Sequence, residues 1–127
     1  MNTDRNIFEF ERQDNVLILT PNGPFMEFRD NDIRNGYNEA YRILMEPELE
    51  HLIVDFTQMD YFGSTFVGIL IRLSKKVCGD GGKAILCNLS EDMREMMKSL
   101  MLLENDKVVF SWKAAVSRAE ALEKLTS

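Results

Sequence analysis

Apolar and polar positions along this chain change period several times, and each change marks a predicted element. Ile7 to Phe10 and Val16 to Leu19 are short β-prone runs on either side of Glu11-Arg12-Gln13-Asp14-Asn15. Two such runs around a tight polar link predict a hairpin. Pro21-Asn22-Gly23-Pro24 ends the second run, because prolines and glycine interrupt a ladder. Beyond Asp30-Asn31-Asp32, any of which can cap a helix, Ile33, Tyr37, Ala40 or Tyr41, and Leu44 recur at helical spacing. Gly36 weakens that helix by up to about 1 kcal/mol relative to Ala, and Pro47 marks its end.

His51 to Phe56 has a continuous apolar centre, as expected of a strand covered on both faces. The next helix has a broad face: Phe66, Ile69 or Leu70, Leu73 and Val77, widened by Val67 and Ile71, and stopped by Gly79-Asp80-Gly81-Gly82. Ala84 to Cys87 predicts another interior strand, and Ser90 caps a helix lined by Met93, Met96 or Met97, and Leu100. Lys107 to Phe110 predicts a last strand, Ser111 a cap, and Ala115, Ala119, Leu122 and Trp112 the inner face of a terminal helix. Met96, Met97, Met101, Leu102 and Leu103 form a run longer than one helix face can bury, so part of it either turns against the core or stays exposed. The order β-β-α-β-α-β-α-β-α predicts crossover units with parallel pairing, preceded by an antiparallel hairpin.

Composition narrows the class. The chain has 127 residues, 45% of them apolar, which suits one domain with its own core. No run is long enough for a membrane-spanning helix, and Met1 to Asn6 has an acid where a secretory signal is basic and then greasy, so a cytoplasmic location is expected. With 15 basic and 21 acidic residues the net charge is −6, which repels nucleic acid, and no basic run offsets it. Cys78 and Cys87 have neither metal nor CxxC spacing and read as apolar filler. His51, the only histidine, has no neighbouring nucleophile and reads as structural or surface. Gly79 to Gly82 follows a helix and precedes a strand, the reverse of a phosphate-cradling loop. Glu9, Glu11, Asp55 and Asp60 could pair as carboxylates, but no electrophile or base partner accompanies them. The expectation is therefore a protein that is not an enzyme and holds no cofactor or metal.

What remains is the strand-to-helix junction Met59-Asp60-Tyr61-Phe62-Gly63-Ser64-Thr65, at the carboxyl end of a strand, where functional groups collect in open α/β sheets. Ser64 there can be a plain N-cap. It can equally carry a phosphoryl group, stabilised by the free N–H groups and dipole of the helix. Such a phosphate would add about two negative charges to a docking surface.

The stretch Leu52 to Leu70, through Asp60-Tyr61-Phe62-Gly63-Ser64-Thr65-Phe66-Val67-Gly68, resembles the signature of the STAS domain, the fold of bacterial anti-sigma factor antagonists. That pattern is a hydrophobic strand ending in Asp-Leu or similar, a short link, an aromatic or aliphatic pair, Asp-Ser-Ser-Gly or Asp-Ser-Thr-Gly, a hydrophobic residue and Gly. The resemblance implies an α/β, STAS-like single domain over residues 1–127. It would have a mixed sheet of about four or five strands with an N-terminal antiparallel hairpin, and about four helices.

In function, the resemblance implies a partner switch. The unphosphorylated domain binds an anti-sigma factor, usually a GHKL-type serine kinase, which phosphorylates it with ATP, and a phosphatase reverses the step. The implied phosphoacceptor is Ser64, with Thr65 at the second hydroxyl position. The implied partner contacts are Asn22, Gly23, Phe25 and Glu27 in the first loop, and Asp60, Tyr61, Gly63 and Phe66 at the junction. Neither nucleic acid nor membrane is an expected partner, and a homodimer is compatible with the pattern. Gly63 stands where the family usually has Asp, and Phe66 where it usually has Gly. Pro21 to Glu27 replaces the usual Gly-Glu-hydrophobic-Asp segment. These departures motivate a second reading, a non-phosphorylated interaction or scaffold module of the same fold.

Overall fold

The computed structural model describes residues 7–23, 28–105, 107–108 and 110–126. Its elements are β1 (Phe8–Gln13), β2 (Val16–Pro21), α1 (Asp30–Leu44), β3 (His51–Asp55), α2 (Ser64–Gly79), β4 (Ala84–Cys87), α3 (Glu91–Ser99), β5 (Lys113–Ala115) and α4 (Arg118–Thr126). The strands form one five-stranded sheet in the order β1-β2-β3-β4-β5. β1 is antiparallel to β2, and every later pair is parallel. The α/β class and the mixed sheet with an N-terminal hairpin are as expected from the sequence.

The continuous apolar runs have a direct physical cause. Leu17, Leu19, Leu52, Val54, Ala84, Leu86 and Ala114 face the core they share with α1, α2 and α3. Their neighbours Val16, Ile18, Ile53, Ile85, Cys87 and Ala115 face α4, where Ala121 is buried and Leu122 and Leu125 are half-buried. A strand with helices on both sides has no polar face to alternate with.

Helix ends account for several differences from the sequence reading. α1 begins at Asp30 rather than after Asp32, and the Asp32 carboxylate accepts from the Arg29 N–H at 3.2 Å. α2 closes in a Schellman turn: Gly82 N–H reaches Val77 O at 2.9 Å, Gly81 N–H reaches Cys78 O at 3.1 Å, and Gly81 has φ +88°. α3 closes the same way around Met101, a non-glycine residue at φ +61°. Leu102 N–H then bonds to Met97 O at 3.0 Å. That turn divides the methionine-leucine run. Leu100 and Met101 are exposed, whereas Met97, Leu102 and Leu103 are buried.

The fifth strand lies further along than expected. Residues 107 and 110 lie in turns and 108 in no regular element, and Val109 lies outside the described residues. Ser111, expected as a helix cap, donates its hydroxyl to Asn105 O at 2.9 Å. Trp112, fully buried, accepts from Glu104 N–H and donates to Leu102 O, both at 2.7 Å, and so sets the register of Lys113–Ala115 beside β4. Tertiary register thus overrides the stronger β-propensity of Lys107 to Phe110. The terminal helix starts at Arg118 with Ser117 Oγ accepting from Glu120 N–H at 3.2 Å. Ala115 belongs to the strand, Trp112 to the strand side of the core, and Ala119 faces outward. The first hairpin is likewise longer than expected, since β1 runs through Gln13 and leaves only Asp14-Asn15 as the turn.

Two glycines are required by close approach. A Cβ on Gly82 would lie 1.8 Å from the carbonyl oxygen of Glu50, where the turn after α2 crosses the start of β3. There His51 Nδ1 accepts from the Lys83 N–H at 3.0 Å, which is a structural role for the lone histidine. A Cβ on Gly36 would lie 2.6 Å from the buried ring of Phe8. Gly36→Ala, which ought to strengthen an exposed helix, is therefore expected to destabilise this one by about 1–3 kcal/mol. Urea denaturation checks the sign.

Candidate functional site at the β3–α2 junction

Between the end of β3 and the start of α2 the chain buries every third residue. Phe56, Met59 and Phe62 point inward, while Thr57, Gln58, Asp60 and Tyr61 are exposed. Phe56 and Phe62 lie 5.2 Å apart between ring centroids, Phe62 and Phe66 5.4 Å, and Phe8 closes on Phe66 at 5.8 Å. Offset aromatic pairs of this kind add about 0.5–1.5 kcal/mol each beyond the area they bury. Phe66, expected at the partner surface, is 1% exposed and belongs to this core group. Its bulk replaces nothing on the surface, because α2 turns that side chain inward.

Gly63, half-exposed and extended at φ −97° and ψ −173°, is the N-cap of α2, and its carbonyl accepts from Phe66 and Val67 N–H at 3.1 and 3.2 Å. Ser64 is thus the first helical residue and not the cap. Ser64 and Thr65 are both exposed, and among the described residues neither hydroxyl is engaged in a hydrogen bond. The first turn of α2 contains no acid. Its positive dipole end is therefore uncompensated by its own side chains.

The remaining expected residues fall on the same end of the molecule. Asp60 is exposed and Tyr61 is 53% exposed. The carbonyl of Asp60 accepts from Ser90 Oγ at 2.9 Å, and Ser90 in turn caps α3 by accepting from Met93 N–H at 3.2 Å. Asn22 and Gly23 are half-buried beyond β2, whose carboxyl end lies beside that of β3. Asn22 N–H bonds to Ile7 O at 2.7 Å, and Gly23 has φ +89°. Phe25 and Glu27 lie outside the described residues. Ser64 and Thr65 also line an open groove of about 380 Å³ between α1 and α2, together with Arg34, Tyr37, Gly68 and Arg72.

Sequence reasoning did not foresee what anchors the junction from beneath. Asp55, with a side chain only 5% exposed, accepts from Thr57 N–H at 3.0 Å, from Thr57 Oγ1, and from Asn88 Nδ2 at 2.8 Å. Its other oxygen receives Arg118 Nε at 3.1 Å. Arg118 also reaches Glu11 at 2.7 Å and Thr20 Oγ1 at 3.2 Å, so it ties α4 to β1, β2 and β3. Glu11 and Asp55 do converge, but on one guanidinium; Glu9 and Asp60 do not join them. Burial works against the Asp55 charge, yet the hydrogen bonds from Thr57, Asn88 and Arg118 outweigh it and hold its carboxyl below the ordinary range. Burial, reinforced by the Asp55 charge, pushes the Cys87 thiol up to about 12 and leaves it inert. The one signal for this network in the sequence is an Asp at the end of a strand with an apolar centre.

A model of the STAS domain family matches residues 8–115. The chain belongs to the STAS domain family. No curated protein matches it by sequence. Among solved structures, it is similar to an anti-sigma-factor antagonist (STAS) domain protein from Planctomyces limnophilus, at 20% identity and TM-score 0.75, covering 94% of this chain and 98% of that one. It is also similar to the anti-sigma factor antagonist SpoIIAA in its unphosphorylated form, at 15% identity and TM-score 0.72, over 94% and 98% of the two chains. The phosphorylated form of SpoIIAA, a Bacillus cell fate determinant, aligns at 15% identity and TM-score 0.69, over 92% and 97%. These likenesses establish a shared STAS fold. Among the described residues no helix of this STAS domain is long and apolar enough to cross a membrane, and no group of three or more His, Cys, Asp or Glu could hold a metal ion.

The Asp55 network sets a pH dependence. A carboxyl whose native pKa lies below its unfolded value of 3.8 contributes stability that is fully present above that pH and lost as pH falls through the native pKa. Asp55→Asn is expected to remove this acid-sensitive component. Arg118→Ala, which strands a buried carboxylate, is expected to cost about 3 kcal/mol at neutral pH. Denaturant titrations at neutral pH and below the unfolded pKa check both.

Proposed function

We propose that this STAS domain is a partner-switching regulator with a phosphoacceptor at Ser64 and a second hydroxyl at Thr65. Unphosphorylated, its junction surface binds an anti-sigma factor or a serine kinase of the GHKL type. In the modified form that surface is blocked, and a phosphatase restores it. The observation that carries this reading is the exposed, unengaged Ser64 hydroxyl on the first turn of α2. In the transfer, Ser64 Oγ attacks the γ-phosphorus of ATP held by the kinase, the Oγ–P bond forms, ADP leaves, and the hydroxyl proton passes to a base on the kinase. The product sits where free N–H groups favour an anion and where no acid in the first turn repels it. SpoIIAA, a protein of the same fold, exists in both phosphorylated and unphosphorylated forms.

Gly63 favours a second reading, because it supplies no carboxylate beside Ser64 where the family usually has one. On that reading the domain is a non-phosphorylated interaction module. Incubation with the cognate kinase and ATP, followed by mass spectrometry, separates the two. The switch predicts phosphate on Ser64, its loss in Ser64→Ala, and partner affinity at least about tenfold weaker in Ser64→Asp, or about 1.4 kcal/mol. Unmodified Ser64 and Thr65, with Ser64→Asp binding as wild type, would establish the scaffold instead.

A further inference from the structure

The groove between α1 and α2 runs up to Ser64, and among its described lining residues positive charge exceeds negative, opposite to the balance of this acidic chain as a whole. Arg12, Arg42 and Arg118 each hold a carboxylate. Arg34 and Arg72, which line the groove from α1 and α2, hold none among the described residues. Among the described residues, Asp30 is the one acid on its wall. The Arg72 guanidinium lies 5.8 Å from the centroid of the half-buried Tyr37 ring, which limits the positions its charge can take.

Gly68 supplies a separate observation. It lies in the interior of α2, where glycine costs about 1 kcal/mol relative to Ala. Gly36 and Gly82 are required by close neighbours, but a Cβ on Gly68 would meet nothing within 4 Å. No packing among the described residues explains it. Its effect is to leave the groove floor open between Arg72 and Ser64.

We propose that this groove is the docking slot for an acidic, partly apolar segment of the protein partner. Carboxylates of that segment pair with Arg34 and Arg72, and its apolar side chains lie over Gly68 between Ile33 and Ile69. The choice of a peptide segment follows from the open form of the groove and from the charge of its described lining, which is opposite to that of the chain as a whole. Regulation then follows from position. A phosphate on Ser64 stands on the wall of the slot and competes with the partner's carboxylates for the same guanidiniums. This competition rests on the phosphorylation reading above, whereas the slot does not.

The test is a titration of the isotope-labelled protein with a ten-residue peptide of alternating Glu and Leu, followed by amide chemical shifts. A peptide with Lys in place of Glu, and inorganic phosphate alone, serve as controls. The proposal predicts shifts confined to the groove, around Arg34, Gly68 and Arg72, and no binding of the Lys peptide. The double variant Arg34→Gln/Arg72→Gln should weaken binding at least about tenfold. Gly68→Leu should plug the slot while thermal stability is unchanged or raised. Shifts elsewhere on the surface, undiminished binding by the folded variants, or filling of the groove by inorganic phosphate but not by the peptide would overturn the slot. If Ser64→Asp leaves peptide affinity unchanged while the arginine variant loses it, the slot stands and the phosphate competition is overturned.

Discussion

Phe56, Phe62 and Phe66 stack within 5.2–6.1 Å of one another between the sheet and α2, and the position of Ser64 follows from that contact. Burying each ring contributes about 1.5–3 kcal/mol, and the pairs add to it. With Phe62 and Phe66 held inside, the residues between them have little choice. Gly63 must cross from loop to helix in an extended conformation, and Ser64 and Thr65 fall on the outer side of the first turn. The hydroxyls are presented by the hydrophobic core, and among the described residues they use no bond of their own.

A second anchor works from the opposite face of the sheet. Asp55 receives Thr57 and Asn88 from the loops and Arg118 from α4, so the last helix is tied to the strand that feeds the junction. Ser90 adds a further tie by bonding the Asp60 carbonyl and capping α3. The loop is thereby held by apolar side chains on one side and by polar bonds on the other. A charge change at Ser64, as in the proposed switch, would then alter the surface without requiring the fold to move.

Most of this architecture was legible in the residues for physical reasons that can be named. The runs Leu52 to Val54 and Ala84 to Cys87 read as interior strands because helices cover both faces of the sheet. Gly79 to Gly82 read as a helix stop because it is one, with Gly81 in the left-handed region. What failed was long-range. Ala114 and Ala115 form a strand only because Trp112 is locked beside Leu102, and short alanine segments carry no local β signal. Asp55 and Arg118 are 63 residues apart, so no spacing rule pairs them.

At the site itself, Ser64 as a surface hydroxyl was readable, but the cap lay one residue earlier, on a glycine that any cap rule ranks below serine. Phe66 reads two ways in the sequence, as the start of the apolar face of α2 and, from the family pattern, as a partner contact, and its ring, buried in the core group that fixes α2, fits the first. Amide hydrogen exchange at Phe56, Met59, Phe66 and Val67 shows directly whether the junction is rigid and independent of Ser64. These amides bond to Cys87, Phe56 and Gly63 carbonyls at 3.0–3.2 Å. Strong protection is expected at all of them, equal in the wild type and in Ser64→Asp. Exchange at the rate of an open loop, or protection that collapses in Ser64→Asp, would contradict it.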